Sequence, residues 1–103
     1  MAIYVNKEKA KKMLSNAPEE SYFYIDEKRT LKNIYDLLDF FSSATQQEYE
    51  RFVNREKNDF YNWLMSVFKN ERLANAMYKA RTPGEAKLYT QRNIKMLERN
   101  ANR

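Results

Sequence analysis

The sequence predicts an all-α protein, a compact bundle of about five to six short helices with one short extended aromatic segment near residues 21–25. Three observations carry that expectation. Apolar residues recur at three- and four-residue spacing through most of the chain, the period of a helix with one buried face. Six of these stretches are preceded by Asn, Thr or Asp, side chains that accept an orphan backbone N–H at a helix start. One glycine and two prolines in 103 residues leave little material for tight β-hairpins.

Taken in order, Asn6 is placed to cap a helix through "KEKAKKML", with Ala10, Met13 and Leu14 as a narrow apolar stripe. "SNAPEES" ends it, because the residue before Pro18 is pushed out of the helical region. "SYFYI", residues 21 to 25, has strand-like composition but no convincing partner strand, and reads as an extended segment laid across helices. Thr30 reads as the cap of a helix whose inward face is Leu31, Ile34, Tyr35, Leu38 and Phe41. "TQQE" from Thr45 to Glu48 is a capping box, and Tyr49, Phe52 and Val53 supply the inward face behind it.

The densest stretch is "VNREKNDFYNWL", where charged and amide groups run into four large apolar residues. It reads as a helix start rather than an active site: Asn58 or Asp59 caps, and Phe60, Trp63, Leu64 and Val67 form one face with Phe68 alongside. Asn70 caps a further helix buried through Leu73, Ala76 or Met77, and Ala80. "TPGE" combines a capping Thr82, Pro83 at the first position and Glu85 at the third, opening a helix to about residue 100. Residues 1–20 are expected to form an N-terminal basic helix or arm, and residues 21–103 a single helical domain.

Composition limits the chemistry. The chain has no cysteine and no histidine, which removes thiolate metal sites and the commonest general base and metal ligand. Its one glycine, Gly84, cannot build a Gly-rich phosphate loop. The only local acid candidates are Glu19–Glu20, Asp26–Glu27 and Asp59, and each has a simpler place in a turn, a surface or a cap. The expectation is a non-enzymatic protein without cofactor or metal. No apolar run approaches the roughly 20 residues that span a membrane, and the N-terminal apolar residues precede the lysines, the reverse of a secretory signal. A soluble, cytoplasmic protein is expected.

The formal charge of +5 is unevenly spread. Residues 1–78 hold twelve cationic and twelve anionic side chains, whereas residues 79–103 hold seven against two. On a wheel of about 100° per residue, Arg92, Lys95, Arg99 and Arg103 fall within about 80° of one another, nearly opposite Ala86, Ile94, Leu97 and Ala101. Lys87 joins them on the same helix, and Lys9 and Lys12 belong to a second basic cluster, "KEKAKK". These seven are the candidate polyanion-binding residues, and nucleic-acid phosphates are their natural partner, contacted with little sequence specificity. A solvated face that complements the helix dipole is the competing reading. Membrane binding ranks lower, because the C-terminal helix is read as lacking an exposed Trp, Phe or Leu to insert.

The segment "FVNREKNDFYNWLMSVFKNERLANAMYKARTPGEAKLYTQRNI" resembles a small helical domain of uncharacterised, chiefly archaeal proteins. Phe52, Val53, Asn54, Asn58, Asp59, Phe60, Trp63, Leu73, Ala74 and Thr82 carry the match. The lead-in "YFYIDEKRTLKNIYDLLDFF" extends it to roughly residues 21–97. Two positions depart: Phe52 stands where the family often has His, and Asn70–Glu71 where it often has Gly–Asp. The resemblance implies a helical fold and a docking role, often as one module of a longer protein, and no transferable activity. A protein–protein or structural module, homo-oligomers included, is therefore the alternative to nucleic-acid binding, and an exposed apolar patch of several hundred Å² would favour it.

Overall fold

The computed structural model describes residues 5–103. Six α-helices and one small hairpin account for its regular structure: α1 (Lys7–Leu14), β1 (Phe23–Tyr24), β2 (Thr30–Leu31), α2 (Ile34–Ser43), α3 (Gln46–Glu50), α4 (Asp59–Ser66), α5 (Glu71–Met77) and α6 (Pro83–Ala101). A single 3₁₀ turn, Glu19–Ser21, leads into β1. The long α6 is the axis, with α1, α2 and α5 packed along it and α4 reaching it through α5. A radius of gyration of 13.0 Å is that of about 100 residues folded as one body.

Local chemistry sets the helix starts. The Asn6, Asn33, Asn58 and Asn70 side chains each accept the backbone N–H three residues on. Thr45 and Glu48 make the reciprocal capping box. Thr82 accepts the Glu85 N–H, but the Glu85 carboxylate accepts from the Arg81 amide at 3.0 Å rather than from the cap's own amide. "VNREKND" is a tight reversal: the Asn54 amide donates to the Lys57 carbonyl, and the Asp59 amide to the Phe52 carbonyl. The Asn58 side chain then caps α4 and donates to the Met77 carbonyl, locking the start of α4 to the end of α5.

Four expectations are corrected. The aromatic segment does have a partner: Phe23 pairs with Leu31 and Tyr24 with Thr30, antiparallel. The Asp26 carboxylate makes the turn by accepting the Lys28 and Arg29 amides while holding the Arg29 guanidinium. Thr30 and Leu31 are consequently strand, and Asn33 is the cap of α2. The buried face of α2 is rotated as well, to Ile34, Leu37, Phe40 and Phe41, leaving Tyr35 at the surface with its hydroxyl on Glu98. Finally, α6 does carry an exposed leucine, Leu88, at 44% exposure.

The hairpin delivers Phe23 to a cluster of rings. Its centroid lies 5.0 Å from Phe60 and 5.5 Å from both Phe52 and Trp63. Phe40, Phe41 and Tyr49 close the cluster around Phe60, which is fully buried. Both polar handles are satisfied: Trp63 Nε1 donates to the Ser21 carbonyl at 2.7 Å and the Tyr49 hydroxyl to the Ala80 carbonyl at 2.9 Å. Burial, with the Glu85 charge adding to it, pushes the Tyr49 hydroxyl pKa well up, so this phenol stays a hydrogen-bond donor at ordinary pH.

Candidate polyanion-binding surface

Packing of α1 against α6 brings the two basic segments onto one body. The α1 stripe of Ala10 and Met13 is buried, and Asn100 near the end of α6 donates to the Val5 carbonyl at 3.0 Å. The outward face of α1 presents Lys9 and Lys12 to a cleft of about 360 Å³. Its other wall is the connection between α4 and α5 with the first turn of α5, which contribute Lys69, Glu71 and Arg72. A second cleft of about 300 Å³ runs between α5 and α6, with Leu73, Ala76, Tyr89 and Met96 inside and Arg72 and Arg92 at its edge.

Arg72 lines both clefts. Between them lies a buried amide pair, in which Asn70 Nδ2 donates to Asn93 Oδ1 at 2.9 Å. Asn70 Oδ1 meanwhile caps α5 through the Leu73 amide. One side chain therefore starts the helix that carries Arg72 and pins it to the helix that carries Arg92. Lys69, just before it, adopts a left-handed backbone with φ of 56°, and the Asn70 amide folds back onto the Leu64 carbonyl at 3.0 Å. A lysine there carries backbone strain of order 1 kcal/mol that glycine would not.

The seven residues singled out from sequence are thus divided. Lys9, Lys12 and Arg92 line the clefts. Lys95 and Arg99 are exposed on α6 and line neither cleft. Arg103 is exposed but lies beyond the Asn102 cap, so the helix does not fix its place in the stripe. Lys87 is half-buried and sits about 20° on the wheel from Glu98, the residue that faces α2. Sequence reasoning missed Lys69 and Arg72, which lie in the charge-balanced part of the chain. Their flanking of a capping Asn was the signal available.

The carboxylates considered for catalysis have structural partners where they are engaged. Asp26 is held to a pKa of about 2 by its hydrogen bonds from Arg29 and from the Lys28 amide. Asp59 pairs with Lys57 at 2.9 Å. Among the described residues, no group of three or more Cys, His, Asp or Glu side chains is arranged to hold a metal ion, and no helix is long and apolar enough to cross a membrane. No protein-family model, curated protein or solved structure matches the chain.

Proposed function

We propose that this protein is a non-enzymatic binding module that grips nucleic-acid phosphates through the clefts between α1, α5 and α6. The observation that carries the reading is the set Lys9, Lys12, Lys69, Arg72 and Arg92, gathered around two adjoining clefts with Glu71 as the one carboxylate lining them. Among the described residues none of the five has an ion-pair partner. Lys69 adds weight, because a cation kept at a left-handed position suits a site more than a fold. Flexible cationic side chains around an open cleft hold phosphate without reading base edges, so little sequence specificity is expected.

The test is fluorescence anisotropy with unrelated duplex DNA and single-stranded RNA, titrated with salt. Two variants separate the clefts from the C-terminal stripe: Lys12→Glu/Arg72→Glu/Arg92→Glu, and Lys95→Glu/Arg99→Glu/Arg103→Glu. Log affinity is expected to fall linearly with log salt, with the first variant losing binding and the second keeping most of it. Loss confined to the second variant would move the site to the stripe. No binding of either nucleic acid at about 50 mM salt, where backbone contacts are strongest, would overturn the reading and direct the search to a protein partner.

A further inference from the structure

A larger hollow, of about 680 Å³, shares no residue with the basic clefts. It is walled by the 53–58 reversal, by α4 and by the end of α5. At its edge Tyr78 is 66% exposed, and its ring lies 4.3 Å from that of Tyr61, tilted by 42°. Tyr61 is itself half-buried and packs against the core. One ring therefore supports the other, and the outer ring is open to solvent.

The polar groups around this pair are of two kinds. Some are spent on the fold: Asn54 accepts the Glu56 amide and donates to the Glu50 carbonyl, and Asn58 bridges α4 to Met77. Lys57 is held by Asp59, and the Glu50 carboxylate accepts from Gln46. The others are uncommitted. The Asn62 side chain is exposed with no hydrogen bond to the described residues, and Arg55 and Arg81 are exposed without an ion-pair partner among them. Glu56, and Glu50 whose charge the neutral Gln46 amide leaves in place, are the two anions that line the hollow with those arginines.

We infer that this hollow is a base-stacking site for single-stranded nucleic acid, with a base on the Tyr78 ring, flanking phosphates on Arg55 and Arg81, and the Asn62 amide at the base edge. A supported aromatic ring beside unpaired cations in a concave surface is the arrangement that takes an unpaired base with its backbone. A duplex cannot use it, because its bases already stack on one another. The inference rests on the proposed function for the class of ligand alone and uses none of its residues.

The test is anisotropy with a labelled single strand of about twelve nucleotides, the same strand carrying abasic sites, and a duplex. Tyr78→Ala is expected to weaken binding of the base-bearing strand roughly tenfold, within the range for loss of one stacked base. It should leave the abasic strand and the duplex unchanged, and Tyr78→Phe should behave as wild type. Circular dichroism of both variants checks that the exposed position leaves the fold intact. An abasic strand bound as tightly as the base-bearing one, or a Tyr78→Ala protein that binds unchanged, would overturn the inference. The cleft variant keeps the two readings apart. If it binds duplex normally while Tyr78→Ala loses the single strand, the stacking site stands and the phosphate clefts fall. If wild type binds the duplex alone, the clefts stand and the stacking site falls.

Discussion

The part of the core built by the hairpin, α2, α3 and α4 is made of rings, whereas the part where α6 meets α1 and α5 is nearly free of them. In the first, Phe23, Phe40, Phe41, Tyr49, Phe52 and Phe60 meet at centroid distances of 5.0 to 6.1 Å. In the second, Ala10, Met13, Ala86, Ile94 and Leu97 pack closely, and the three buried polar residues among those described, Asn70, Thr90 and Asn93, belong to it. The ion pairs divide in the same way. All three ion pairs among the described residues lie on the aromatic side, where Arg29 ties Asp26 to Glu48 and Lys57 holds Asp59.

The difference shows where the paired surface charges lie relative to the core. Large rings bury 150–250 Å² each, so a few of them stabilise a small domain, and Arg29 and Lys57 above them are held by carboxylates, whereas Arg55 and Arg81 are not. Where α6 meets α1 and α5, the five cations around the clefts have no ion-pair partner among the described residues. Surface ion pairs contribute at most about 1 kcal/mol, so pairing them would have added little stability.

The comparison breaks first, if it breaks, at the rings. Phe60→Ala or Trp63→Ala should cost about 3–5 kcal/mol in urea melts, and the Trp63 variant also leaves the Ser21 carbonyl without its donor. A loss below about 1 kcal/mol would show that the rings do not carry the core. On the other side, Asn93→Ala leaves the Asn70 amide buried and unpaired. A cost of about 1–3 kcal/mol is expected, and a neutral result would make the amide pair dispensable.

Lys69→Gly sharpens the contrast because its two readouts should move in opposite directions. Releasing the left-handed strain should raise stability by roughly 0.5–1 kcal/mol, while loss of the cation weakens nucleic-acid binding. A gain in stability with unchanged affinity would remove Lys69 from the site. The smallest effect is in the hairpin turn. The Asp26 pKa is lowered from 3.8 to about 2, and Glu48 is lowered too, first by its hydrogen bond from Arg29. A lowered carboxylate pKa means stability that is full above the ordinary value and lost as pH falls through the folded one. Amide protection at the turn should therefore fade between pH 3.8 and about 2, and Asp26→Asn should reduce that dependence to the part Glu48 carries.

Much of the fold is legible one helix at a time. Asn6, Thr45, Asn58, Asn70 and Thr82 cap the helices they were expected to cap, because a cap is a bond across three residues and needs no tertiary context. The second strand was hidden because two residues carry no periodicity, and Thr30 has the chemistry of a cap. The face of α2 was misjudged because its apolar residues satisfy two helical stripes, and only the positions of α6 and the hairpin choose between them. Part of the candidate surface was visible as the cationic excess of the C-terminal quarter. Lys69 and Arg72 were not, since a running count of charge balances over residues 1–78 and cannot see which of their cations the fold gathers.

By itself, then, the sequence determined the helices, all their starts but that of α2, and the aromatic identity of the core, all of which follow from spacings of three or four residues. Only the tertiary structure decided that α1 lies against α6, that five cations from three helices and their connections share two clefts, and that Tyr78 stands outside the core on a supporting Tyr61. The physical reason is range. Hydrogen bonding at a helix end acts within one turn, whereas a binding surface is assembled from residues that meet only when distant apolar faces are buried against each other.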